Sequence, residues 1–398
     1  MILEGLDLRT GDFTNQSPGR LVRSLDGSHL AFDPDPLPPS LEFGQSTQEL
    51  IIAASDAIGE LRGVGRTLPN PSLVVRPFAR REAVLSSRIE GTTASEEDLI
   101  LFDAGARDVL AEPDEAREVS NYLSSLSFGL DRIKQLPICN RLIREIHAVL
   151  MQGVRGQDRR PGEFRAFQNM ISGIGADPRF VPPPASEMRR AMDELERYIG
   201  SAPNWPPVLV QVALVHYQFE TIHPFMDGNG RMGRLLIPLM LHERGVLPQP
   251  LLYLSAYLDQ HKDRYRDLLL RVSQTGDWAA WVDFFLVGVV EQGREAVVIT
   301  QRLRDLRETY RQQTTGPRIP SNVQAVIDML FERPAVTATE VRDRLAVTSR
   351  TAYQLIERLA EAGIVREATG GTYRRVYLAH GVVRATSVDR APAPGAGA

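Results

Sequence analysis

One short stretch, residues 223–234, combines a histidine, a carboxylate, two glycines around an asparagine, and two arginines three positions apart. An apolar run without glycine or proline precedes it (208–222), and a second apolar run follows it (235–241). The pattern predicts two buried helices joined by a polar, glycine-rich bend. Because the first N–H groups of a helix have no intrahelical partner, such a bend is a place where a chain can bind an anion.

The polar residues of this bend have the functional groups that group-transfer chemistry needs. His223 ends the first helix, and a neutral imidazole in a cleft is the usual general base for a hydroxyl group. A histidine at a helix end can equally be structural, so both interpretations stay open at this point. Asp227 can hold a hard cation such as Mg²⁺, which takes one or two carboxylates together with phosphate oxygens and water. Gly228 and Gly230 let the backbone approach an anion closely.

The remaining polar residues of the bend are hydrogen-bond donors. Asn229 can add an amide donor. Arg231 and Arg234 share one side of the first turns of the second helix, where they could hold phosphates in fork geometry. The alternative is that both are surface arginines that face solvent. Each feature is weak alone, but their combination in this order indicates a phosphate-binding site.

The composition is that of an ordinary globular protein, with 398 residues, 43% hydrophobic and 24% charged. This length predicts two or three domains. The net charge of −4 gives no general attraction to nucleic acid, so any such binding must be local. The single cysteine, Cys139, excludes an intrachain disulfide and a multi-cysteine zinc site. We see no signal-peptide pattern and no apolar run of the about 20 residues that cross a membrane, so we expect a cytoplasmic protein without membrane contact.

The spacing of apolar residues predicts helices along most of the chain. Residues 1–45 are an exception, because four prolines between positions 34 and 39 break any helix. Gly91 is expected to end one helix, and Ser95 is expected to cap the next. The other predicted helices cover 47–61 (stopped by glycines at 63–65), 77–89, 114–134, 141–153, 187–199, 208–222, 235–241, 254–272 and 278–313.

Two short extended runs, 165–171 and 179–181, flank a turn that contains Gly173 and Gly175, which predicts a β-hairpin. Residues 314–317 (Thr-Thr-Gly-Pro) are a natural linker.

Residues 317–385 form the last predicted unit. Its charged residues are ten arginines and seven acids, so its local charge is +3 (10 − 7). Such a charge permits phosphate contacts but is not a strong basic footprint, so DNA binding and protein docking both stay open. Helices are predicted at 322–331, 339–345 and 349–362, followed by strands at 364–367 and 374–378 that are joined through Gly370 and Gly371. This order of elements is that of a winged helix-turn-helix. Arg350 and Arg358 lie on its third helix, and Arg374 and Arg375 lie in its wing.

The order His-Pro-Phe-x-Asp-Gly-Asn-Gly-Arg-x-x-Arg at 223–234 resembles the signature of the Fic family, with a match at every constrained position. The surrounding residues agree, including 219–222, Arg165 and the predicted hairpin, and the resemblance covers most of residues 19–290. Known enzymes of the family mostly transfer AMP from ATP to a hydroxyl side chain of a target protein. The resemblance implies a mainly α fold, a Fic-type helical bundle with a small β-hairpin flap, followed here by the winged helix-turn-helix.

The resemblance also implies a role for each residue of the motif. His223 is expected to be the base for a Ser, Thr or Tyr hydroxyl of the target. Asp227 is expected to hold Mg²⁺ between the α- and β-phosphates of ATP. The expected phosphate contacts are Gly228, Asn229, Gly230 and Arg231, with Arg234 at the γ-phosphate. Phe225 is expected to anchor the loop in the core, and Tyr265 is expected to lie in the adenine pocket. The hairpin near 168–180 is expected to be the flap that aligns a target segment by strand addition.

A second motif, Ser86 to Gly91, resembles the inhibitory motif of the same family. Ser86 and Glu90 are four residues apart and share a helix face. The resemblance implies that Glu90 pairs with Arg234 and takes the place of the γ-phosphate, as in the subclass that carries its inhibitory helix N-terminally. The alternative is an ordinary carboxylate at a helix end, which the helix dipole disfavours without a cationic partner.

These interpretations give a domain plan and three hypotheses. The plan is an N-terminal arm with the inhibitory helix (1–105), a catalytic core (106–313), the winged helix (317–385) and a disordered tail (386–398). The first hypothesis is an auto-inhibited protein adenylyltransferase that also modifies itself. The second is a DNA-binding regulator that uses the core to sense ATP. The third is removal of AMP from a modified protein, with Glu90 positioning water. Homodimer formation is left open.

Overall fold

The computed structural model describes residues 10–24, 27, 29–66, 68, 70–172, 178–316, 322–370 and 375–387. The described chain is mainly helical, as predicted. No helix in these ranges is long and apolar enough to cross a membrane. In chain order the α-helices are α1 Gln45–Arg66, α2 Ser72–Ile89, α3 Glu96–Asp103, α4 Pro113–Arg132, α5 Asn140–Leu150, α6 Ala185–Ser201, α7 Val208–Ile222, α8 Asn229–Glu243, α9 Ser255–Gln260, α10 Lys262–Thr275, α11 Trp278–Gln313, α12 Asn322–Glu332, α13 Ala338–Leu345, α14 Ser349–Glu361 and α15 His380–Thr386.

Short strands form small antiparallel sheets at the edges of the helical body. The first pairs β1 Gly19–Arg23 with β2 Leu30–Pro34, with Leu21 opposite Phe32. The second pairs β3 Ile171–Ser172 with β4 Pro178–Phe180, with Ile171 opposite Phe180. The third has the order β5-β7-β6, formed by β5 Ala335–Thr337, β6 Arg366–Glu367 and β7 Val376–Leu378.

The helix pair α7 and α8 lies at the centre of the core. Every residue of α7 from Leu209 to Ile222 is buried, which agrees with its mostly apolar sequence. Helix α8 packs against α7 and α4, while α11 packs along α1 and α7. Helix α2 packs against α4, α9 and α12. The loop between α7 and α8 is therefore surrounded by helices from distant parts of the chain.

Two expectations for the N-terminal part were wrong. Residues 19–23 and 30–34 pair as antiparallel strands rather than forming an irregular arm, partly because the Phe32 N–H donates to the carbonyl of Val181, a contact that the local sequence does not indicate. Helix α2 begins at Ser72 instead of Pro77, where the side chain of Asn70 accepts from the Ser72 N–H at 3.2 Å and so satisfies one of the free N–H groups of the first turn. Pro77 then lies inside the helix.

Two predicted helices have different limits in the structure. Helix α1 runs through Gly63 and Gly65 to Arg66, because Gly65 packs against the side chain of Leu251. The single helix expected at 254–272 is two helices, α9 and α10, that meet at His261. This residue has φ −114° and ψ 33°, outside the helical region, and its ring packs on Tyr257 with centroids 4.6 Å apart.

The predicted hairpin is present but shorter than expected. Among the described residues, pairing is confined to β3 and β4, while Arg165 and Asn169 make side-chain contacts with the α7–α8 loop. Gly173 and Gly175, which were expected to form its turn, lie outside the described residues.

The C-terminal part follows the predicted order of helix, helix, turn, helix and strands, with β5 added to the sheet. Its assignment as a winged helix-turn-helix stays a prediction, and Pro317, Gly371 and Arg374 lie outside the described residues. The tail was expected to begin at Thr386, but this residue ends α15 and is 1% exposed, because α15 packs against α11 and α2. The rest of the predicted tail, 388–398, lies outside the described residues. The domain limits at 105 and 313 stay predictions.

Candidate active site

The α7–α8 loop begins at His223, whose backbone is left-handed with φ +50°. Residues other than glycine rarely adopt this conformation, and those that do are often found at functional sites. Nδ1 of His223 lies 3.2 Å from the carbonyl oxygen of Glu220. Because a carbonyl oxygen can only accept, Nδ1 carries the proton and Nε2 keeps its lone pair. Burial lowers the pKa of His223 to about 4, so the ring is neutral at pH 7 and Nε2 can act as a base.

Two side chains from the segment before β3 hold this loop in place. Nε of Arg165 donates to the His223 carbonyl at 2.9 Å, and its other nitrogens donate to further carbonyls, including that of Pro183. Nδ2 of Asn169 donates to the carbonyls of His223 and Phe225, at 3.1 and 2.9 Å. The sequence indicated Arg165 only as a neighbour of the motif, and it gave no signal for Asn169. Both fix the direction of the His223 backbone.

The side chain of Asn229 makes contacts inside the loop that the sequence did not indicate. Its Oδ1 accepts from the Phe225 N–H and its Nδ2 donates to the Phe225 carbonyl, both at 2.8 Å. One N–H of the amide is therefore engaged inside the loop, and the phosphate contact expected of Asn229 stays a prediction. Phe225 itself is fully buried and stacks on His147 with ring centroids 3.6 Å apart, as expected for the anchor of the loop.

The loop ends in an open helix N-terminus. Gly228 has φ +75° at the N-cap of α8, a conformation that glycine adopts without strain. Oδ1 of Asp227 accepts from the Gly228 N–H at 2.6 Å, and its side chain is 33% exposed. The described residues contain no cluster of three or more metal-ligating side chains. Asp227 is a single carboxylate beside this helix N-terminus, the kind of ligand that Mg²⁺ takes when phosphates and water supply its other oxygens.

Arg231 and Arg234 are buried, at 3% and 2% exposure, so the alternative of two surface arginines was wrong. Nη1 of Arg231 lies 3.1 Å from Glu118 on α4. Nε of Arg234 donates to the Ser86 hydroxyl at 2.8 Å, and its Nη2 donates to the Ser86 carbonyl at 3.0 Å. Each arginine is thus held by a different helix.

The Arg234 guanidinium also binds Glu90, the residue that ends α2. Nη2 of Arg234 lies 2.6 Å from Oε1 of Glu90. Burial opposes the ionisation of Glu90, but the neighbouring guanidinium outweighs it and holds the pKa of Glu90 below its usual value. Burial alone would lower the pKa of Arg234, yet Glu90 raises it further above its usual value. Both groups are therefore charged at neutral pH.

Glu90 reaches this position because of a glycine. A Cβ atom at Gly230 would overlap Oε1 of Glu90. The carboxylate thus lies over the first turn of α8, where unpaired N–H groups favour a negative charge. The Glu90 side chain is 36% exposed, whereas that of Arg234 is 2% exposed. The pair consequently has a buried cation and an anion at the surface of the cleft.

Tyr265 lies beside this pair in the core and is 3% exposed. Its hydroxyl is 2.8 Å from Nε2 of His216, whose Nδ1 faces the carbonyl of Gly233 at 3.1 Å. A role of Tyr265 in an adenine pocket stays a prediction. The nearby Glu220 packs against Gly233, and burial raises the pKa of Glu220 to about 7.

A further residue, Glu82, was missed by the sequence interpretation. It lies two turns before Glu90 on the same helix and is 3% exposed. Its Oε1 accepts from the hydroxyls of Tyr122 at 3.0 Å and Ser255 at 2.6 Å, and its Oε2 accepts from the Ser255 N–H at 3.2 Å. It therefore joins α2 to α4 and α9. The only available signal was a charged residue at an otherwise apolar position of a predicted helix.

We expect the replacement Glu82→Gln to change the pH dependence of stability. Burial raises the pKa of Glu82 from 4.5 to about 7, partly offset by the Ser255 and Tyr122 hydrogen bonds. The stabilising contribution of this group is complete below about pH 4.5 and is lost as the pH rises through about 7. The variant should therefore gain stability relative to wild type over this range, by up to about 3 kcal/mol.

Apparent melting temperatures of both proteins at about pH 5 and about pH 8 measure this change. The exposed Glu97→Gln is the control and should show the same difference from wild type at both pH values. A Glu82→Gln difference that is independent of pH contradicts the assignment.

Comparison with known proteins agrees with the fold. Residues 48–131 match the family model described as Fic/DOC family N-terminal, and residues 137–241 match the model described as Fic/DOC family. The crystal structure of a Fic family protein from Desulfovibrio desulfuricans G20 has a TM-score of 0.57 at 20% identity, covering 86% of this chain and 98% of that chain. A Fic domain containing signaling protein from Bacteroides thetaiotaomicron has a TM-score of 0.51 at 17% identity, covering 66% and 97%.

Curated relatives are similar over a shorter region. Protein adenylyltransferase Fic from Aedes aegypti is 34% identical over 125 residues, which are 31% of this chain and 22% of that protein. The protein of the same name from Drosophila ananassae is 38% identical over 89 residues, 22% of this chain and 16% of that protein. The chain therefore spans about a fifth of the length of these relatives.

The helical fold and the loop between its two central helices are those of a Fic-type fold. Residues 48–241 carry matches to the N-terminal region of the Fic/DOC family followed by its core region.

Proposed function

We propose that the chain is a protein adenylyltransferase, an enzyme that transfers AMP from ATP to a hydroxyl side chain of a target protein. The observation that carries this proposal is a neutral His223 with a free Nε2 at one end of an anion-binding loop, and Arg234 at the other. The names of the curated relatives support the same reaction class.

In this reaction the target hydroxyl oxygen attacks the α-phosphorus of ATP. The bond from the α-phosphorus to the bridging oxygen breaks, and pyrophosphate leaves. Nε2 of His223 takes the hydroxyl proton as the new P–O bond forms, because its lone pair is free. The N–H groups at the start of α8 stabilise the charge on the phosphates, since they are fixed before the substrate arrives.

Asp227 is the residue that would hold Mg²⁺ with the substrate. Bound there, the ion would neutralise phosphate charge and orient the leaving group. Arg231 is kept in place by Glu118 and lies 3.8 Å from Asp227, so it supports the same end of the phosphate site.

We infer that Glu90 inhibits this activity. Its carboxylate occupies Arg234, which the γ-phosphate of ATP is expected to contact. With Arg234 occupied, the triphosphate is displaced from the in-line geometry that transfer needs. The exposed side of Glu90 supports a reversible contact, because one partner can leave without opening the core.

The target segment is proposed to dock on the flap formed by β3 and β4. Phe167 and Met170 lie beside it and are 69% and 49% exposed, which is unusual for large apolar side chains. The flap adjoins the loop at His223 through Asn169, so a strand added there would bring a hydroxyl near the base.

The position of the label in ATP tests the reaction class. The full chain is incubated with Mg²⁺ and with ATP labelled at either the α- or the γ-phosphate. AMP transfer leaves the α-label on the protein and releases the γ-label in pyrophosphate, so only α-labelled ATP should mark the protein itself. Label from the γ-position would indicate a kinase, and no α-label with Glu90→Gly would contradict the proposal.

DNA binding by the C-terminal unit, homodimer formation, a cytoplasmic location and the removal of AMP stay predictions from the sequence.

A further inference from the structure

Arg80 is a charged residue of α2 that the site described above does not use. It lies ten residues before Glu90 and is 5% exposed. Burying a charge is unfavourable unless partners compensate it. Burial lowers the pKa of Arg80 to about 10, with Glu96 opposing the effect, so the side chain still carries its charge at neutral pH.

The partners of Arg80 belong to other helices. Nη1 donates to the carbonyl of Glu332 at 2.8 Å, and Glu332 is the last residue of α12. The carbonyls at a helix C-terminus have no intrahelical partner and favour a cation. Nε of Arg80 lies 3.8 Å from Oε1 of Glu96, the first residue of α3. Thr386, at the end of α15, is a hydrogen-bonding neighbour of Glu96.

Two of the three guanidinium nitrogens of Arg80, Nε and Nη2, have no hydrogen-bond partner among the described residues. Such incomplete bonding suits a contact that a binding partner can replace. A cavity of about 570 Å³ lies between α2 and α15, lined by Val84, Arg88 and Val383 among others. The packing on this side of α2 therefore leaves room for the helix to shift.

Helix α2 connects the Arg80 contacts to Glu90 mechanically. It is continuous from Ser72 to Ile89, and the ten residues from Arg80 to Glu90 span about 15 Å. A helix of this length moves as a unit, so a contact at Arg80 biases the position of Glu90. A single element held at both ends is the kind of structure that can couple distant sites.

We propose that Arg80 is a positioning residue through which the C-terminal helices α12 and α15 hold Glu90 against Arg234. This inference rests on the proposed inhibition by Glu90. The C-terminal unit acts as a second restraint on the inhibitory helix, and a partner that displaces α12 or α15 releases the active site.

The test measures initial rates of α-label incorporation by the full chain. Arg80→Met keeps the length of the side chain and removes its charge, and it should raise labelling about threefold or more. In the Glu90→Gly background the same change should add nothing, because the group it positions is gone. The control is Arg307→Met, which removes the ion pair from α11 to Asp328 on α12, at 2.7 and 3.0 Å, without touching α2. It should leave labelling unchanged.

Amide hydrogen exchange gives a second readout that does not depend on catalysis. Residues 86–91 should exchange faster in Arg80→Met than in wild type or Arg307→Met. Equal exchange in all three proteins overturns the inference even if no variant labels itself. A rise of equal size in Arg307→Met, or in the Glu90→Gly background, overturns it as well. If Arg80→Met does not fold, Glu96→Gln replaces it with the same expected results.

Discussion

We expect the replacement of Glu90 by glycine to raise the rate of AMP transfer about tenfold, because Arg234 would become free to contact the γ-phosphate. Hydrogen bonds to charged groups contribute about 1.5–3 kcal/mol. The low end of that range applies, since the Glu90 side chain is 36% exposed and solvent screens the pair. Glycine fits the site without strain, because Glu90 has φ −87° and ψ 0° at the end of α2. The measurement is the initial rate of α-label incorporation at saturating ATP.

Two variants control for indirect effects of Glu90→Gly. Glu90→Gln keeps a hydrogen-bond acceptor for Arg234 but removes the charge, so its rate should lie between those of wild type and Glu90→Gly. Ser86→Ala removes the other side-chain partner of Arg234 and should change the rate less, since the Ser86 carbonyl still accepts from Nη2. A Glu90→Gly protein that binds ATP but transfers AMP no faster than wild type would rule out inhibition by this residue.

Replacing His223 with alanine is expected to lower the rate of transfer by a factor of about 10²–10⁴, the usual contribution of a general base. The change is best measured in the Glu90→Gly background, where the signal is strongest. ATP affinity should stay the same, because the phosphate contacts come from Arg234 and the start of α8.

A matched variant separates the base from its structural contact. His223→Asn can still donate to the Glu220 carbonyl but has no base, so it should be as inactive as His223→Ala. If it retains most of the activity, His223 only supports the loop. The pH profile provides a second check: because burial lowers the pKa of His223 to about 4, the rate should persist well below the usual histidine pKa of 6.5 and fall only near 4.

The parts of the site that the sequence predicted are the residues that lie close together along the chain. His223, Asp227 and the two arginines lie around one loop because they belong to one motif between two apolar helices. The contact of Glu90 with Arg234 was also expected, because residues 86–91 resemble the inhibitory motif of the Fic family, and a carboxylate at a helix end favours a cationic partner.

The parts that the sequence did not predict depend on contacts between distant residues. Asn229 can donate to a phosphate or to the backbone, and only the position of Phe225 shows that its Oδ1 and one N–H of its Nδ2 bond to the backbone. Glu82 and Arg80 are charged residues within a helix whose neighbours come from α4, α9 and α12. The β1–β2 hairpin forms partly because Phe32 meets Val181. Periodicity cannot identify such partners.

The burial of α2 has a consequence for how the proposed inhibition responds to conditions. Helix α2 is part of the hydrophobic core, so its terminal carboxylate is tethered beside Arg234 at a fixed effective concentration. Diluting the protein does not weaken an intramolecular contact, and cutting an exposed loop does not remove a core helix. The balance between the closed and open site is therefore set by the concentration of nucleotide and by whatever contacts α2.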